Sequence, residues 1–120
     1  MKLMLLIYHD EATWDALTES ERQEIYKEYC EQIQELESKG AYLVGDELQP
    51  TSTARTVRVR EGKPMITDGP FAETREQLGG FFLIEAADVN EANAIAARIP
   101  SARMGSIEVR PVVAEAAAAD

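Results

Sequence analysis

Apolar residues fall along this chain as unbroken runs, strict alternations and helical stripes, and their order predicts a fold. Leu3-Met4-Leu5-Leu6-Ile7-Tyr8 is a continuous apolar run that suits a strand covered on both faces, and Phe81-Phe82-Leu83-Ile84 is a second. Thr18 with Glu21 three residues on is a capping box; Ile25, Tyr29, Ile33 and Leu36 then recur at helical spacing until Gly40 closes the helix. Tyr26 and Cys30 widen that stripe, and the Glu and Lys residues around it form a solvated face. Tyr42-Leu43-Val44 opens another strand, which runs through Gly45-Asp46-Glu47 toward a sheet edge, and residues 48–53 read as a loop. Thr56-Val57-Arg58-Val59-Arg60 alternates, predicting Val57 and Val59 inward and both arginines outward, and Glu61-Gly62 turns the chain into Met65-Ile66-Thr67. Asp88 with Glu91 caps a helix whose stripe is Ala92, Ile95, Ala96 and Ile99, and Pro100 ends it. Ile107, Val109 and Val112 mark a last strand.

Strand, helix, strand, hairpin, strand, helix, strand is an α+β plan: a ferredoxin-like βαββαβ unit with an extra β-hairpin. One domain spans residues 1–113, with an alanine-rich, frayed tail at 114–120. In this plan the two apolar runs are the central strands and the helices cover one sheet face. Apolar side chains on the other face would leave an exposed patch, and patches above about 300–600 Å² usually mark an interface. The expected assembly is a homodimer formed sheet to sheet, of the dimeric α+β barrel type.

The net charge of −10 repels phosphate backbones and anionic bilayers, so neither nucleic acid nor a membrane is an expected partner. The first apolar run stops at His9-Asp10-Glu11, too soon for a signal peptide or a span, which favours a cytoplasmic protein. Cys30 is the one cysteine and reads as a half-buried structural residue, so no disulfide framework is expected. With one histidine and one cysteine the sequence offers no metal site, and without a Gly-rich phosphate loop or nucleophile elbow it calls for no cofactor.

Candidate chemistry gathers at Asp68-Gly69-Pro70-Phe71. Gly and Pro make a sharp turn that sets the Asp68 carboxylate at a bend, and Phe71 is an aromatic residue that a plain turn does not need. A carboxylate beside an apolar wall suits proton transfer, with Gly69, Pro70 and Phe71 as the substrate-binding surface for a small-molecule ligand. His9 lies in an expected loop at the exit of the first strand, together with the one tryptophan, Trp14.

The string from Asp68 to Thr74, followed by Glu76-Gln77-Leu78-Gly79-Gly80, resembles the DGPF branch of the YCII-related family. Met4 to Tyr8, Thr56 to Arg60 and Glu108-Val109-Arg110-Pro111-Val112 match the same pattern. The resemblance implies a small ferredoxin-like dimer. It also implies either a cofactor-independent isomerase, lyase or dehydrochlorinase, or a non-catalytic module associated with extracytoplasmic-function sigma factors. Relatives place a histidine on the first long helix as partner to an aspartate; Tyr29 stands at that position here. The implied catalytic set is therefore Asp68 with Tyr29 or His9.

Overall fold

The computed structural model describes residues 1–114; residues 115–120, most of the expected tail, lie outside that range. Among the described residues, six strands and three α-helices follow in the order β1 (Lys2–His9), α1 (Glu11–Ala16), α2 (Glu19–Ser38), β2 (Tyr42–Glu47), β3 (Arg55–Arg60), β4 (Lys63–Asp68), β5 (Gln77–Glu85), α3 (Val89–Ala97) and β6 (Ser106–Pro111). Single 3₁₀ turns occupy Thr51–Thr53 and Pro100–Arg103. The architecture is mixed α+β with antiparallel pairing throughout: a four-stranded sheet ordered β2-β5-β1-β6 and a separate hairpin, β3-β4.

The two apolar runs take the two central positions of the main sheet. Leu3, Leu5 and Ile7 of β1 and Phe82 and Ile84 of β5 turn toward the helices and are buried with Leu36 of α2, Ala92 and Ala96 of α3, and Ile99. Met4, Leu6, Phe81 and Leu83 alternate with them onto the opposite face, where they are half-buried and meet one another across the ladder.

Local chemistry fixes the helices. Thr18 accepts from the Glu21 N–H while Glu21 returns a bond to the Thr18 N–H, and Gly40, at φ 70°, ends α2. Asp88 caps α3 through the Glu91 N–H. The expected loop after β1 is instead a short helix: Asp10 accepts from the Ala12 N–H and starts α1.

The hairpin corrects a second expectation. Glu61 and Gly62, at φ 53° and 75°, do make its tight turn. Val57 and Val59, however, face no core: each is 61% exposed, because β3 and β4 stand outside the main sheet.

Helices α2 and α3 are tied by Gln32 Nε2, which donates to the Ile95 carbonyl, and by a two-pronged ion pair from Arg98 to Glu35, at 3.0 and 2.7 Å. Hydrogen bonds from Arg98 first, and from Lys39, hold the Glu35 carboxyl down at about 2, against an ordinary 4.5. A depressed folded-state value means that the stabilisation is present above about pH 4.5 and is lost as pH falls toward 2. The Tm difference between wild type and Arg98→Met is therefore expected to narrow across that window in acid titrations. A difference independent of pH would dismiss the pair as a stabilising contact.

Candidate functional site

Between the helix-facing side of the sheet and α2 lies a cavity of about 240 Å³. Its walls are aromatic: Trp14 from α1, Tyr26 and Tyr29 from α2, Tyr42 from β2 and Phe82 from β5. Trp14 meets Tyr26 edge-on at 5.6 Å, and Phe82 takes Tyr29 and Tyr42 edge-on at 6.1 and 5.2 Å.

Three glycines, Gly45, Gly79 and Gly80, help line the cavity from the sheet. The reason is a bulge. Ile7 pairs with Gly80 but Tyr8 pairs with Leu78, so Gly79 is an extra residue in β5. The slip turns Leu78 to the far face, where it is exposed, and leaves Gly79 against His9. A Cβ on Gly79 would collide with His9 Cε1 and lie 2.7 Å from Nδ1, so the ring occupies the space that a side chain would need.

His9 ends β1 on its helix-facing side, with its ring 5.9 Å from Trp14. Its Nδ1 is buried and has no hydrogen-bond partner among the described residues. The Tyr29, Ser101 and Tyr26 hydroxyls at the cavity are engaged, whereas the Tyr42 hydroxyl has no hydrogen-bond partner among the described residues. Tyr29 Oη and Ser101 Oγ share a hydrogen bond of 2.6 Å, and Tyr26 donates to the Glu47 carboxylate at 2.9 Å. Burial pushes the Tyr29 hydroxyl above its ordinary value, and burial with the Glu47 carboxylate pushes Tyr26 to about 12. Both phenols stay protonated near neutrality. The cavity thus presents an unsatisfied imidazole nitrogen and the free Tyr42 hydroxyl in an aromatic box, groups able to bond a ligand hydroxyl or carbonyl, the imidazole also able to exchange a proton.

Helix α1 holds Trp14 in place from both ends. The Glu11 N–H donates to Gln77 Oε1, the Glu11 carboxylate accepts from the Thr51 N–H and hydroxyl, and Arg22 donates to the Trp14 carbonyl.

The YCII-related domain model matches residues 1–116. The chain belongs to the YCII-related family. It is also similar to an uncharacterised protein of Rhizobium meliloti (strain 1021), with 35% identity over 114 residues that cover 93% of this chain and 92% of the relative.

Of the residues singled out by sequence, this YCII-related chain brings His9 and Tyr29 together at the cavity and leaves the Asp68 turn outside its lining. Gly69 has the positive φ of 93° that the turn requires, and its N–H bonds the Ala54 carbonyl. Asp68 is 91% exposed and ion-paired to Arg55 at 3.1 Å, and Phe71 is 80% exposed. Cys30 is exposed on α2 at the cavity's edge rather than half-buried. Sequence reasoning missed Trp14, Tyr26 and Gly79 as site residues. The Gly79-Gly80 pair inside a strand was the available signal, since glycine there marks a bulge or a close approach.

Proposed function

We propose that this YCII-related protein binds a small, largely apolar cyclic molecule carrying one carbonyl or hydroxyl in the cavity over β1 and β5. It would act there as a cofactor-independent proton-transfer enzyme of the isomerase or lyase type. The observation that carries this reading is the buried, unpartnered His9 Nδ1 within an aromatic enclosure. His9 would take a proton from carbon next to the ligand carbonyl and return it to the same or a neighbouring carbon. The Tyr29–Ser101 hydroxyl pair would donate toward the oxygen that gains charge. The chain composition suits a cytoplasmic setting, and the turn residues 68–74 fit the DGPF branch.

We infer further that the working form is a homodimer with a ferredoxin-like core in each copy. The β2-β5-β1-β6 order and the half-buried apolar face away from the helices support it. Asp68, solvated in one copy, would join the chemistry only where a second copy covers it.

A non-catalytic ligand-binding module is the second reading, favoured by the absence of Asp68 from the cavity lining and by the Tyr26, Tyr29 and Tyr42 phenols all being held protonated. One experiment separates the two. Trp14 is the sole tryptophan, so titrating phenol or cyclohexanone should change its emission saturably. His9→Ala should weaken binding by at least about tenfold, or roughly 1.4 kcal/mol. Deuterium exchange from D₂O into cyclohexanone, followed by NMR, should be accelerated by wild type and not by His9→Ala. Saturable binding without exchange would leave the binding module standing, and no change at Trp14 would reject the site.

A further inference from the structure

Two glycines at the base of the cavity each make room for a polar ring. Gly79 does so for His9, and Gly45 does so for Tyr42, since a Cβ on Gly45 would collide with the Tyr42 hydroxyl. Gly45 pairs with Phe82, whose side chain turns toward the helices, so the space over Gly45 and the hydroxyl that fills it lie on the cavity side of the sheet. Phe82 packs edge-on against the Tyr42 ring at 5.2 Å and steadies it there.

The Tyr42 hydroxyl differs from its neighbours. Tyr29 is engaged by Ser101 and Tyr26 by Glu47, while Tyr42 Oη has no hydrogen-bond partner among the described residues. Burial first, then the Asp46 and Glu37 carboxylates, push it above its ordinary value, so near neutrality it is a donor. It also stands apart from His9. In the order β2-β5-β1 the two rings come from the strands on either side of β5. Gly45 pairs at Phe82, and Gly79 lies three residues earlier on β5, at most roughly 10 Å along the strand. A ring held by one oxygen near His9 therefore has its far end toward Tyr42.

We propose that Tyr42 is the specificity-determining residue of the cavity: its hydroxyl donates to a second ligand oxygen, at the opposite end of the ring from the group that meets His9. The ligand class is then a small ring with an oxygen function, hydroxyl, carbonyl or ether, at each end. This rests on the cavity-binding reading above and adds what the site demands beyond the reacting carbonyl. A ring with an apolar far end would strip water from the Tyr42 hydroxyl and give it no partner, which is the physical basis for discriminating against such a ring.

Calorimetric titration with 4-hydroxycyclohexanone and 4-methylcyclohexanone tests this, because the two probes are nearly isosteric and differ in the second oxygen. Wild type should bind the hydroxy ketone at least about fivefold more tightly. Tyr42→Phe keeps the ring and its contact with Phe82, and should bring that ratio to one or below while Tm stays within a few degrees of wild type. The ratio is the informative quantity: a merely structural role for Tyr42 would shift both affinities together and leave the preference in place. Equal binding of the two ketones by wild type, a preference for the methyl ketone, or a hydroxy preference that survives in Tyr42→Phe overturns the role of Tyr42 and leaves the cavity and its His9 chemistry untouched. Binding of neither ketone overturns this proposal together with the reading on which it rests.

Discussion

Leu5→Ala is expected to cost about 2–5 kcal/mol of folding stability, enough to lower Tm by roughly 10 °C or more in a domain of this size. Leu5 is 0% exposed, sits on a central strand between Phe82 and Val109, and belongs to the core shared by α2, α3 and the sheet. Truncation removes buried methyl groups and leaves a void that a close-packed layer refills only partly. Leu6, its neighbour in the same apolar run, faces the uncovered side and is half-buried. In dilute protein Leu6→Ala should cost far less; on the proposed homodimer, the penalty grows with concentration as the second copy covers the face. Urea unfolding of both variants at two protein concentrations checks this. Equal costs for Leu5 and Leu6 at low concentration would contradict the two-faced sheet.

Gly79→Ala is expected to abolish ligand binding in the cavity without unfolding the protein. The new Cβ meets His9 Cε1 and Nδ1, atoms of a side chain that can swing away, and Gly79 is not in the positive-φ region that only glycine enters readily. The ring would move into the cavity, both filling it and misdirecting its nitrogen. Phenol binding read from Trp14 emission should weaken by at least about tenfold while Tm shifts by only a few degrees. Gly105→Ala is the structural contrast: its Cβ would strike the Tyr8 carbonyl and the His9 Cα, backbone atoms that cannot step aside. Unchanged binding by Gly79→Ala would show that the His9 side of the cavity is not where ligands bind.

Much of the fold was legible because its signals are local. Thr18 with Glu21, Asp88 with Glu91, Gly40 and Glu61-Gly62 each specify a cap or turn within four residues, and each makes it. The unbroken apolar run of β1 signalled a central strand, and β1 is central, though within one copy only its helix-facing side is buried. The alternation at Val57 and Val59 was read correctly as two-faced, but a pattern of period two does not say what lies against the apolar face, and within one copy nothing does. Helix α1 was missed because six residues are too few to show a stripe, although Asp10 two residues before Ala12 was a usable cap. The cavity was hidden for another reason. It depends on a one-residue slip between Ile7 and Tyr8 that turns Leu78 outward, and register is a property of two strands together. His9 and Tyr29 were visible as candidates; their meeting at one cavity was not.

On the proposed reading, the glycines at the base of the cavity constrain how ligand preference could change. The glycine part of the base offers no rotamers to trade, and at Gly45 an added Cβ would lie 2.7 Å from the Phe81 carbonyl. Relatives that favour other guests should therefore differ at the roof, where Trp14, Tyr26 and Cys30 stand on helices free to exchange one side chain for another. Diversification would then proceed mainly by redecorating the lid.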